Sequence, residues 1–207
     1  MKKILQHVLV FTGIIMMNCG VSTFAQSGYQ VGDKAMDFEL KTVEGNIVSM
    51  AYHPDAKGFL VIFSCNTCPY VVAYEDRMIE LHNTYAPKGF PVIAINPNDD
   101  KRSPGDSFDN MKKRAKSKNF PFAYAYDESQ EITKAYGATN TPQVYLVEKE
   151  GNDFIVKYIG AIDNNYQDAS AVTKKYVEDA LDAVMTGGRV EQERTKAIGC
   201  TIKWRKT

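Results

Sequence analysis

Apolar residues fall into two kinds of pattern along the chain, and their alternation predicts a layered α/β protein. Gly58-Phe-Leu-Val-Ile-Phe63 and Pro91-Val-Ile-Ala-Ile95 are short continuous apolar runs, as expected of strands covered on both faces. Between them Val71, Tyr74, Met78, Leu81 and Tyr85 recur at spacings of three and four, which predicts a core-facing helix over about 67–85, ended by Pro87 and Gly89. Strand, helix, strand in that order implies a right-handed crossover between parallel strands.

The flanking segments read in the same way. Alternation over 37–43, a turn at Glu44-Gly45-Asn46 and a resumption at Ile47-Val48 predict a hairpin. After the Asn- and Asp-rich loop 96–106, whose acids suit turns more than a cation, Ser107 is placed to cap a helix with Phe108, Met111 and Ala115 inward. Residues 120–126 form a strand, Asp127 and Gln130 open a helix closed by Gly137, and 143–147 with 154–159 form an antiparallel hairpin. A last helix is expected over about 170–185, stopping at Gly187-Gly188. From about 187 a tail follows, in which Ile198, Cys200, Ile202 and Trp204 alternate as in an extended strand.

The first 25 residues stand apart. Lys2 and Lys3 precede an apolar stretch, Ile4 to Met17, too short to span a bilayer, and Thr23-Phe24-Ala25 offers small residues for cleavage before Gln26. This reads as a signal peptide over 1–25, followed by one domain over 26–207, exported and periplasmic. The alternative is a lipoprotein acylated at Cys19, for which Met17-Asn18 is a poor lead-in. No stable membrane insertion is expected after cleavage.

Charge changes the picture little. The chain carries 25 basic and 25 acidic residues, and loss of the two leader lysines leaves a small acid excess. Nothing draws the molecule toward nucleic acid, and the basic run 112–118 reads as a solvated helix face.

Chemistry concentrates at Ser64-Cys65-Asn66-Thr67-Cys68-Pro69, where the first buried strand gives way to the helix. A helix start aims unpaired N–H groups and a positive dipole at nearby sulfur, an arrangement expected to favour a Cys65 thiolate. Pro69 fits the first turn, where a missing N–H removes no bond. Cys200 is the third cysteine after the leader, a candidate third redox thiol; an odd count with one close pair indicates a redox pair rather than a structural framework. Cys68, Glu75 and His82 repeat at intervals of seven and line up beside the apolar stripe. Glu75 is thus a candidate proton relay, although an ion pair with a basic neighbour is the plainer expectation.

A strand leading to C-x-x-C on a helix, a crossover to a second parallel strand, and Thr141-Pro142 before a terminal hairpin and helix together resemble the thioredoxin fold. The likeness covers about residues 31 to 186. Within that superfamily the chain most resembles the exported redoxin, peroxiredoxin-like (AhpC/TSA-related) branch, through Val31-Gly32-Asp33, Cys-Pro-Tyr-Val at 68–71, Tyr-Glu-Asp-Arg at 74–77, Asn-Pro-Asn-Asp at 96–99 and Gly199-Cys-Thr-Ile-Lys-Trp204. The resemblance implies a mixed central sheet with helices on both faces and an N-terminal β-hairpin extension. It also implies a cis Pro142 beside the cysteine pair, with Thr141 offering main-chain bonds to an extended substrate. The buried aspartate that thioredoxins carry six residues before the first cysteine is Phe59 here, which leaves the proton acceptor unassigned.

The leading expectation is a thiol–disulfide oxidoreductase that needs no cofactor, with Cys65 and Cys68 as catalytic residues. Its partners would be protein thiols or disulfides and an electron donor or acceptor not identified by sequence. A thiol peroxidase is one alternative, but peroxiredoxins place Pro and Thr seven and three residues before the reactive cysteine, where Cys68 has Val61 and Cys65. A copper-binding protein using both thiols with His53 or His82 is another.

Overall fold

The computed structural model describes residues 28–206; the leader and Cys19 lie outside the described residues. The strands are β1 (Lys34–Ala35), β2 (Leu40–Thr42), β3 (Ile47–Val48), β4 (Gly58–Phe63), β5 (Val92–Asn96), β6 (Ala123–Tyr126), β7 (Asn140–Thr141), β8 (Gln143–Glu150), β9 (Asp153–Gly160) and β10 (Cys200–Thr201). The helices are α1 (Pro69–Tyr85), α2 (Phe108–Lys118), α3 (Glu131–Tyr136) and α4 (Tyr176–Met185).

Eight strands form one mixed sheet in the order β1-β9-β8-β4-β5-β6-β2-β3. β4, β5 and β6 are parallel, while β8 runs antiparallel to β4 and to β9. The predicted N-terminal hairpin, β2–β3, extends the edge beyond β6. β4 shows why its run is unbroken. Leu60 and Ile62 face a core shared with Tyr74, Met78 and Leu81 of α1, Met111 of α2 and Leu181 of α4. Phe59, Val61 and Phe63 face the opposite core, closed by Phe38, Met50, Tyr136 of α3 and Ile202 of the tail. Successive side chains of a strand point to opposite faces, so a strand buried on both sides must be apolar throughout.

Two boundaries differ from expectation. α1 begins at Pro69, not near residue 67, which makes Cys68 its N-cap residue. α4 begins at Tyr176, because residues 169–171 form a separate single turn capped by the Asp168 side chain. Ser107 occupies the N-cap of α2 without a side-chain capping bond. The tail is tied down along its length. Thr195 Oγ1 accepts the Ala161 N–H at 2.9 Å, Lys203 N–H reaches Asn98 Oδ1 at 2.9 Å, and Arg205 N–H reaches Gln130 Oε1 at 2.8 Å. Among the described residues no helix is long and apolar enough to cross a membrane.

Candidate active site

β4 ends at Phe63, Ser64 N–H donates to Ile95 O at 2.8 Å, and the chain turns through Cys65, Asn66 and Thr67 into α1. One buried carboxylate holds that turn. Asp106 Oδ1 accepts the N–H groups of Asn66 (2.7 Å) and Thr67 (3.1 Å). Its Oδ2 accepts Thr67 Oγ1 (3.1 Å), Asn98 Nδ2 (2.8 Å) and Ser103 Oγ (2.6 Å). Asn66 is fixed further by Tyr124, whose hydroxyl donates to Asn66 Oδ1 at 2.9 Å. The long loop after β5 is therefore the clamp of the cysteine turn, a role that its turn-forming composition concealed.

Both paired sulfurs are buried, with Cys65 3% and Cys68 2% exposed, and all three described cysteines are free thiols. Cys65 Sγ lies 3.2 Å from Thr141 Oγ1, and Cys68 Sγ lies 3.2 Å from Thr141 O. The Thr141–Pro142 peptide is cis. Thr141 thus lies against both sulfurs, with Pro142 next to it in the chain.

Each of the two sulfurs bears on the other's ionisation. The Cys68 thiol is held below its ordinary range, first by a hydrogen bond from Cys65 and further by Cys200 and the N–H groups of Val71 and Cys200. Cys65 is pushed up as that donor, then by burial and by the charge of Asp106. Cys68 stands at the N-cap of α1, one residue before the helix begins, without a side-chain capping bond.

Cys200 joins the pair, half-buried, with its Sγ 2.7 Å from Cys68 Sγ and its N–H 3.3 Å from the same sulfur. β10 pairs antiparallel with β7, placing Cys200 opposite Thr141 and Thr201 opposite Asn140. The edge expected to receive an extended substrate is therefore taken by the chain's own tail. Glu75 is not gathered here. Its buried carboxylate is engaged by Arg114 (Nε–Oε1 2.6 Å, Nη2–Oε2 2.7 Å) and by Lys118 at 3.4 Å. His53 and His82 sit at the other end of the sheet. His53 packs edge-on against Phe59, and His82 Nδ1 accepts the Val92 N–H at 3.2 Å. They supply no third ligand to the thiols, and no metal-holding group of three or more His, Cys, Asp or Glu occurs among the described residues.

The AhpC/TSA family model matches residues 31–158, more than half of the chain. The chain belongs to the AhpC/TSA family. It is 26% identical over 161 residues to the thiol-disulfide oxidoreductase ResA of Bacillus thuringiensis subsp. konkukian (strain 97-27), covering 73% of this chain and 86% of that one. Among solved structures, a conserved protein from Geobacillus kaustophilus is 36% identical with a TM-score of 0.79, covering 86% of this chain and 94% of that one. A thiol:disulfide interchange protein DsbE from Chlorobium tepidum, at 22% identity and TM-score 0.51 over 62% of this chain and 85% of that one, shares the fold. The family and its relatives make the chain a redox enzyme with a thioredoxin-like fold.

Proposed function

We propose that this chain is a thiol–disulfide oxidoreductase of the cell envelope whose reaction runs through Cys65 and Cys68. The observation that carries the reading is geometric: two buried thiols at a strand-to-helix junction, both against Thr141, with Cys65 Sγ 3.2 Å from its Oγ1 and Cys68 Sγ 3.2 Å from its carbonyl oxygen. Cys65 gives up its proton and attacks a substrate disulfide, one substrate sulfur leaves and takes up a proton, and a mixed disulfide forms. Cys68 then gives up its proton and attacks Cys65 Sγ, closing the Cys65–Cys68 disulfide and releasing the second substrate thiol. Two electrons pass to the substrate; the reverse sequence oxidises a dithiol. Thr141 Oγ1, 3.2 Å from Cys65 Sγ, is placed to hydrogen-bond that sulfur as it becomes a thiolate.

Protein thiols and disulfides are its partners, together with a separate electron donor or acceptor. Residues 1–25 direct export, and 26–207 form the single working domain. Cys65→Ser and Cys68→Ser should each reduce a protein disulfide about 100-fold more slowly, or worse, than the parent. Undiminished turnover in either variant, assayed with insulin as substrate, rejects the mechanism.

A further inference from the structure

The tail does more than cover the site. Residues 199–202 run against Asn140–Thr141 in the position that a bound chain would take, and they deliver a sulfur to within 2.7 Å of Cys68. That separation is about 0.7 Å longer than a disulfide bond. The approach is built rather than incidental. Asn140 Nδ2 donates to Gly199 O at 2.9 Å, and Ile202 N–H donates to Thr139 O at 3.1 Å. A Cβ on Gly199 would stand 2.1 Å from Thr141 O, so only glycine lets the tail pass this close. Anchors on both sides, Thr195 against Ala161 and Lys203 against Asn98, hold Cys200 between them. Cys65 and Cys68 are nearly inaccessible, whereas Cys200, in contact with Cys68, is half-buried.

Resting on the oxidoreductase reading, we propose that Cys200 is an intramolecular exchange thiol: it forms a disulfide with Cys68 and passes electrons between the buried pair and external dithiols. In the oxidised protein Cys200 loses its proton and attacks Cys68 Sγ. The Cys65–Cys68 bond breaks, and Cys65 leaves as a thiolate that takes up a proton. One disulfide replaces another, and no electrons have entered. An external dithiol then attacks Cys200 Sγ, Cys68 leaves as a thiolate that takes up a proton, and the dithiol's second thiol closes its own disulfide, freeing Cys200. Two electrons and two protons have entered the chain, and the dithiol is oxidised. External dithiols thus meet Cys200 first, and their recognition falls to the surface around it rather than to strand addition at Thr141.

The test uses the chain from Gln26, which contains every described residue. Cys65→Ser is equilibrated in glutathione buffers, quenched in acid, alkylated and mapped by peptide mass. A Cys68–Cys200 disulfide is expected, and Cys68→Ser should form no Cys65–Cys200 counterpart. In a second arm, oxidised Cys200→Ser should be reduced by dithiothreitol about tenfold more slowly than the oxidised parent. Cys200 remaining fully alkylated in Cys65→Ser, or an unchanged reduction rate in Cys200→Ser, overturns the proposal. The broader reading fails separately, if the parent never joins Cys65 to Cys68.

Discussion

Replacing Asp106 by Asn alters two or three atoms yet should loosen the whole cysteine turn. In the parent, one oxygen takes two backbone N–H groups and the other takes three side-chain donors, all in a residue with no exposed surface. An amide can keep its oxygen toward Asn66 and Thr67, but its NH2 then meets Thr67 Oγ1, Ser103 Oγ and Asn98 Nδ2. The two hydroxyls can rotate and accept. Asn98 cannot, because its own oxygen is held by Lys203 N–H at 2.9 Å. One buried donor is left without a partner, at about 1–3 kcal/mol, and two charge-assisted backbone bonds become neutral ones, at about 0.5–1 kcal/mol each. The sum centres on about 3 kcal/mol, a shift in Tm of about 9 °C for a domain of this size. Urea denaturation of the reduced chain by circular dichroism measures the loss, with an unchanged m-value as the sign that the unfolded state is unaffected. Hydrogen exchange at Asn66 and Thr67 should accelerate in step. A loss below about 1 kcal/mol, with protection retained, would refute the claim that this carboxylate holds the turn.

Three other outcomes follow from the same geometry. Glu75→Gln breaks a buried bidentate pair and should cost about 3 kcal/mol in denaturation; the disulfide-exchange rate of the folded fraction should not move, and a slower rate would restore a proton-relay role. Burial lowers the pKa of His82, so the unfolded chain binds that proton first: its contribution is present above about pH 6.5 and is lost as pH falls through the lower folded value. His82→Asn, which keeps an acceptor for Val92 N–H but cannot titrate, should flatten that part of the stability–pH curve; an identical curve would exclude His82 as its source. Cys65→Ala removes the main donor to Cys68, so the pH midpoint for Cys68 alkylation by iodoacetamide should rise toward that of a free thiol; an unmoved midpoint would place the stabilisation elsewhere.

What was legible in the sequence was local. The unbroken apolar run of β4, the three-and-four spacing of α1 and the glycine-containing turn between β8 and β9 each declare themselves within about twenty residues. Cys65 and Cys68 were visible because four positions bring both to one helix start. The remainder depends on contacts that no local window contains. Asp106 is 39 and 40 residues from the N–H groups it accepts, and aspartate in such a loop looks like any turn former. Cys200 meets Cys68 across 132 positions, and the alternation of 198–204 indicated a strand without saying which edge it would occupy. The helix start was legible only to within two residues, because the apolar stripe begins at Val71 and does not mark it.

The proposed reaction turns on a disulfide between Cys65 and Cys68 that opens and closes reversibly. The most direct test equilibrates the chain from Gln26 in glutathione buffers of graded potential, quenches in acid and counts free thiols at each cysteine by mass-resolved trapping. A single two-electron transition that protects Cys65 together with Cys68 is the predicted result, and its midpoint tells whether the pair tends to donate or to withdraw electrons. Two thiols that stay free at every potential would contradict the account.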